Sequence, residues 1–372
     1  MNFSITKNAF SDALSIVSHA VSSSSPQPAL RGILIQAEGD ALSLTGSDSD
    51  ISIKKILHKD DDNQLNIVED GSILIESRYL LDIVKKIDAE IISVEIIDGS
   101  LTKFSGSSAV FKINGMNAYD YPGIDFTKPA DSLKMESSLL NNIIDETSFA
   151  ASVKETRPVL TGVNFKLENK VLSCTATDSF RLAKKTLSFD SDASFHVTIP
   201  SRSLNEVRST MLEKAEQIEI ALDDKKAQFI NEDMILQTRL LDGTYPETDR
   251  LIPTEFSYKL TIDRNDLIRA IDRTIFIKND NMAVDRLQCS ENEVVLTNKS
   301  QEIGESRESL AAKFEGEPLD ISFSGNYVMD AAKALKGQTV VIQFTGEMKP
   351  FILTNEDDHT IIQLVLPVRT YN

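Results

Sequence analysis

The run Ile75-Glu76-Ser77-Arg78-Tyr79-Leu80 returns 124 residues later as Ile199-Pro200-Ser201-Arg202-Ser203-Leu204. The same step again lands on Phe323-Ser324-Gly325-Asn326-Tyr327-Val328, and Tyr121-Pro122 recurs as Tyr245-Pro246 at the same spacing. A longer echo joins LTGSDSDISIKK, starting at Leu44, to CTATDSFRLAKK, starting at Cys174; its offset of 130 differs only by a short insertion or deletion. A fainter third copy is VVLTNKS, starting at Val294. Several features near one spacing argue for triplication over chance, and the 372 residues are three times 124. That period is too long for a solenoid unit and close to the commonest domain size. The expected organisation is three domains, 1–121, 134–245 and 256–372. Polar, proline-containing linkers at 122–133 and 246–255 would join them.

Each unit repeats one order of elements. An early helix is expected at 6–22, 136–152 and 263–278, with apolar residues at i, i+3, i+4 and i+7. A pair of strands joined by a polar turn follows. A second helix comes next at 78–87, 202–212 and 326–335, with Ser77 and Ser201 as candidate N-caps. Further strands rich in β-branched residues complete the unit, for example IISVEII, QIEIAL and TVVIQF. The fold class is therefore α+β, each domain two helices packed on antiparallel sheets.

The net charge of −18 argues against a nucleic-acid binder when taken alone, because phosphate contacts need Lys and Arg. A locally basic surface on an acidic body resolves the conflict only by position. Opposite the apolar stripe of the second helix lie Arg78 and Lys85 in unit one, Arg202 in unit two and Lys333 in unit three. Arg269 and Arg273 sit on the outer side of the first helix of unit three. Two readings stay open for these six: a solvated face of mixed charge, or a surface turned toward an anion. Apolar runs stay short of the about 18 residues that span a bilayer. The N-terminal stretch lacks the pattern of a secretory signal. Two separated cysteines, Cys174 and Cys289, suit buried thiols in a reducing cytoplasm.

No catalytic constellation emerges. The four histidines form no HxxxH or HExxH pair, and no phosphate-cradling glycine loop, GxSxG elbow or CxxC is present. The acidic clusters Asp60-Asp61-Asp62 and Asn355-Glu356-Asp357-Asp358 lack EF-hand spacing and suit solvated loops.

Three repeats, the run Glu155-Thr156-Arg157-Pro158-Val159-Leu160-Thr161-Gly162, the run Thr175-Ala176-Thr177-Asp178-Ser179-Phe180-Arg181-Leu182-Ala183 and the closing Leu366-Pro367-Val368-Arg369 resemble the bacterial β sliding clamps. These are the processivity subunits of DNA polymerase III, and the resemblance covers the whole chain. It implies a head-to-tail homodimer closed into a ring, with helices lining a hole for duplex DNA of any sequence. It implies a non-catalytic protein with no cofactor, no metal and no membrane. Its partners would be the replicative polymerase, the clamp loader and repair proteins, bound through short linear peptides. The peptide pocket would be walled by Leu160, Thr177, Ser179, Phe180, Arg181 and Leu182. Pro246, Arg250 and Leu251 would come from the linker, and Leu364, Leu366, Pro367, Val368 and Arg369 from the C-terminal stretch. At the dimer contact, Phe111 and Ile113 would face Phe276 and Ile277.

The family pattern is broken in places. Ser179 stands where relatives often carry Gly, and Phe180 is aromatic but donates no hydrogen bond. Ser22 to Ser25 fill a loop where relatives can carry a basic residue facing DNA, so that contact is expected to be missing. Thr370, Tyr371 and Asn372 extend past Arg369 and are expected to flank the pocket. Two other functions are weighed: a metal-assisted hydrolase built from triplicated domains, and a peptide-binding scaffold that never meets DNA.

Overall fold

A computed structural model describes residues 1–213, 215–278 and 282–369. Thr370, Tyr371 and Asn372 lie outside the described residues. The chain divides into two compact units, Met1–Ser138 with Glu206–Leu240, and Leu139–Asn205 with Leu241–Asn372. The strand pairings in both are antiparallel.

The first unit holds a five-stranded sheet in the order Asn66–Glu69, Asn2–Thr6, Ile91–Asp98, Leu101–Gly106, Ala109–Asn114. Its eight-stranded sheet runs Asp131–Glu136, Gln217–Leu222, Lys226–Asn231, Met234–Arg239, Ile51–His58, Ala41–Ser47, Gly32–Glu38, Gly71–Glu76. The second unit holds a nine-stranded sheet: Phe195–Pro200, Gly162–Glu168, Val171–Thr177, Arg181–Ser188, Ile361–Val365, Phe351–Thr354, Thr339–Phe344, Tyr258–Asp263, Ala312–Glu315. A four-stranded sheet follows the order Gly304–Ser309, Val294–Ser300, Val284–Cys289, Leu319–Ser324. The strand-turn-strand echo is thus a seam. Ile51–His58 pairs with Met234–Arg239, and its counterpart Arg181–Ser188 pairs with Ile361–Val365. In each seam a strand of one repeat is joined by the final strand of the next.

Of the helices α1 (Lys7–Ser18), α2 (Ser77–Lys86), α3 (Ser137–Thr147), α4 (Ser201–Val207), α5 (Arg264–Asp272) and α6 (Gly325–Ala334), α1, α3, α4 and α5 are shorter than their sequence patterns predict, while α2 and α6 keep the expected length and start one residue earlier. Each buries one stripe: Phe10, Ala13, Leu14 and Val17 on α1, Leu80, Ile83 and Val84 on α2, Leu267, Ala270 and Ile271 on α5. Burying such side chains is worth about 1.5–3 kcal/mol each, which orders helices too short to be stable alone. The α4 pattern continues to Leu212, but the stretch Arg208–Leu212 widens into a π turn, with the Thr210 hydroxyl donating to Glu206 O at 2.6 Å. Ser77 and Ser201 are not caps. Ser77 is a buried first helical residue, and the Ser201 hydroxyl donates across to Ser148 O at 3.1 Å. The carboxylate that does cap is Asp263, which accepts from Asn265 N and Asp266 N at the start of α5.

Among the described residues no helix is long and apolar enough to cross a membrane. Cys174 and Cys289 are free and buried, and burial pushes both thiols up, Cys289 to about 12.

Candidate functional site

The site grows from a three-residue turn. Asp178 Oδ1 accepts from Phe180 N at 2.9 Å and Arg181 N at 3.0 Å, while Thr177 Oγ1 accepts from Ser179 N and donates to Arg181 O at 2.6 Å. These local bonds force Ser179 to φ +79°, the left-handed region glycine tolerates best. They also leave Phe180 57 % exposed. The Phe180 carbonyl accepts from Leu366 N at 2.9 Å, which ties the closing stretch to the turn, and Val368 N donates to Ser322 O at 2.7 Å, which ties it to the strand Leu319–Ser324.

Behind the turn, Leu182 and Leu364 sit opposite each other in register. With Ile352 they form a small buried cluster on which Ile252, Phe256, Ile362 and Leu366 pack while remaining part-exposed. A half-covered apolar floor of this kind is what a peptide side chain needs for anchorage. Leu251, 56 % exposed, and half-buried Pro246 stand on the linker nearby in sequence, but neither belongs to that cluster. Leu160 is 2 % exposed and Thr177 is buried, so both lie in the interior. Pro367 and Val368 are half-buried, and Arg250 and Arg369 are exposed. Ile352, Ile252, Phe256 and Ile362 were missed from sequence, where each looks like an ordinary strand or linker residue.

Arg181 organises the polar side. Its Nε donates to Asp178 Oδ2 at 3.1 Å and its Nη1 to Asp330 Oδ2 at 2.7 Å. The guanidinium lies 4.6 Å from the Tyr327 ring centroid and 5.3 Å from that of Phe149. Four residues along the same strand, Lys185 Nζ donates to Asp358 Oδ2 at 2.8 Å and stands 2.8 Å from Glu146 Oε2. Burial raises the Glu146 carboxyl despite Lys185, and it works against the Lys185 charge, which the two carboxylates nonetheless hold above the ordinary lysine value. Asp358, expected in a solvated loop, is thereby part of the seam. Among the described residues no group of three or more His, Cys, Asp or Glu is placed to hold a metal.

The six basic candidates are all exposed, and the structure separates them. Arg78 and Lys85 face away from the buried stripe of α2. Arg273 is engaged by a two-pronged contact with Glu308 at 2.8 and 2.9 Å, and Arg269 by Asp266 at 2.5 Å. Both therefore carry less free positive charge than their position suggests. Lys333 lines a recess of about 480 Å³ with Asp145, Phe149, Arg264, Asp330 and Lys336. Arg202 also has an interaction partner. Of the residues expected at a contact between copies, Phe111 and Ile113 are half-buried on Ala109–Asn114, an edge strand, and Phe276 is 64 % exposed. Ile277 departs from expectation: at 3 % exposure it belongs to the interior of its own chain.

Fold and site together define a triplicated α+β chain whose repeats are joined through shared sheets, with an apolar floor at the second seam. Family models for the N-terminal, central and C-terminal domains of the DNA polymerase III beta subunit match residues 1–125, 134–247 and 249–369. The beta sliding clamp of Bacillus subtilis is 38 % identical over 378 residues, covering all of both chains. The crystal structure of the DNA polymerase sliding clamp from Bacillus subtilis superposes with a TM-score of 0.95 over all of both chains at 37 % identity. A sliding clamp from Bartonella birtlesii, solved bound to griselimycin, gives 0.93 over all of both chains at 26 % identity. The chain belongs to the β sliding clamp family, the beta subunits of DNA polymerase III.

Proposed function

We propose that two copies of this chain close head to tail into a ring around duplex DNA and work in the cytoplasm as a non-catalytic tether. The tether would hold the replicative polymerase, the clamp loader and repair proteins through short peptides seated at the second seam. The chain is read as three clamp domains, 1–121, 134–245 and 256–372, joined by linkers 122–133 and 246–255.

One observation carries the ring. In the first two repeats, the strand after the polar turn pairs with the last strand of the next repeat. In the third repeat the equivalent strand, Gly304–Ser309, is an edge. The last strand of the first repeat, Ala109–Asn114, is an edge as well. Unpaired edges invite strand addition, and a second copy supplies the missing partner at both ends. Phe111, Ile113 and Phe276 would fill that contact. Arg78, Lys85, Arg202 and Lys333 would meet phosphates weakly, as sliding requires, with Arg269 and Arg273 damped by their carboxylates.

The peptide pocket would use Leu182, Leu364, Leu366, Pro367 and Val368 as its floor and wall. Phe180, Ser179, Pro246, Arg250, Leu251 and Arg369 would form its rim, and Leu160, Thr177 and Arg181 would support it from beneath. The test is primer extension on a primed circular template with a bacterial replicative polymerase and its loader. Adding the chain should lengthen products per binding event. Replacing Leu182 and Leu366 with Ser should abolish that gain while sedimentation still shows the dimer; undiminished extension would reject the pocket.

A further inference from the structure

Asp285, on the strand Val284–Cys289, is fully buried, and no cation among the described residues pairs with it. From Val294–Ser300, Asn298 Nδ2 donates to Asp285 Oδ1 at 3.0 Å and also reaches Thr274 O at 3.3 Å. A carbonyl can only accept, so Thr274 fixes which way the amide points. From the end of α5 comes the Thr274 hydroxyl, which donates to Ile271 O at 2.8 Å. From the start of α6, Gly325 closes over the carboxyl: a Cβ there would lie 2.3 Å from Oδ2. The neighbouring Arg286 is turned to Asp320. Two buried oxygens are left without partners, Asp285 Oδ2 and Asn298 Oδ1.

One proton answers both vacancies, since a neutral carboxyl and a side-chain amide can each donate once to the other. Burial pushes the Asp285 carboxyl up to about 6, although the Asn298 amide works to hold it down. The feature is special to the third repeat. Stepping two residues outward from the register pairs Ile35↔Leu44, Phe165↔Cys174 and Leu287↔Leu296 gives Ile33 with Gly46, Val163 with Ala176, and Asp285 with Asn298. Only the third repeat spends polar groups at this interior position, and it does so beneath the segment that carries exposed Phe276. That segment is pinned by Asn298 on Thr274 O and by the Ser300 hydroxyl on Lys278 O at 3.2 Å.

We propose that Asp285 and Asn298 form a proton-dependent acid–amide latch that holds the Phe276 segment in shape, so that the contact between copies loosens as Asp285 ionises. The link to assembly rests on the ring reading above. The folded carboxyl titrates above its unfolded value, so this group's cost is absent at low pH and grows as pH rises through about 6.

The experiment compares the full-length wild type with Asp285→Asn, which substitutes an amide–amide pair with nothing to titrate. Relative to that variant, the wild-type folding constant should fall about tenfold between about pH 5 and pH 8. Over the same range the wild-type dimer dissociation constant should rise several-fold in sedimentation, while the variant's stays level. A pH-independent difference in stability overturns the protonated pair. A titrating stability with a level dimer constant overturns the coupling. Phe276→Asp tests the interface separately: an unchanged dimer rejects that interface, whatever the latch does. Should Asp285→Asn fail to fold, infrared spectroscopy of wild type labelled at aspartate decides, because absence of an un-ionised carboxyl band near pH 6 refutes the latch.

Discussion

Ser179 and its counterpart Ser49 hold φ at +79° and +84°, in matching turns 130 residues apart. A side chain in this region costs about 1 kcal/mol or more, and both turns absorb it to keep their Asp and Ser or Thr bonds. Ser179→Gly is expected to raise stability in urea unfolding by about 0.5–1 kcal/mol, net of the entropy glycine adds to the unfolded chain. A loss of stability would show that the hydroxyl, not the backbone angle, governs the turn. Sequence drew attention to this turn, because the second copy alone exchanges a polar run for Phe180-Arg181-Leu182. It could not supply the partners. Asp330, Tyr327 and Phe149 reach Arg181 from distant helices and turns, and no local pattern marks them.

Among elements, the seam strand Arg181–Ser188 concentrates the interactions. Alternate residues carry Leu182 to the apolar floor and Lys184 to Asp249 on the linker, while Lys185 sits between Glu146 and Asp358. Lys185 and Glu146 are 8 % and 2 % exposed, so removing one charge strands the other in a poor dielectric. Lys185→Met should cost about 3–5 kcal/mol in urea unfolding at neutral pH. The loss should shrink on acidification, because the stranded Glu146 carboxyl can then take a proton. A cost below about 1 kcal/mol would mean water screens the pair. The helices were legible as elements because their apolar spacing is strong, and the strands through their β-branched runs. Ends were less legible: buried Ser77, cross-bonded Ser201 and the π turn after α4 are set by tertiary contacts that local propensity does not contain. Ile277 failed for the same reason, since an apolar residue past a helical stripe reads equally as patch or as core.

For the whole molecule, the repeat was the most informative sequence feature, because it predicted both three units and a common set of joints. What it did not reveal was that each joint borrows a strand from the next repeat, leaving Ala109–Asn114 and Gly304–Ser309 as open edges. The net charge of −18 fits a protein that avoids DNA over most of its surface and tolerates it along a few exposed basic positions. Such a protein should hold DNA by topology rather than by affinity. The direct measurement is retention after loading onto circular duplex DNA, before and after a single cut that linearises it. The ring account predicts that the chain stays with the closed circle at salt high enough to abolish phosphate contacts, and runs off once the circle is cut. Equal retention on circular and linear DNA, or loss from both, would contradict it.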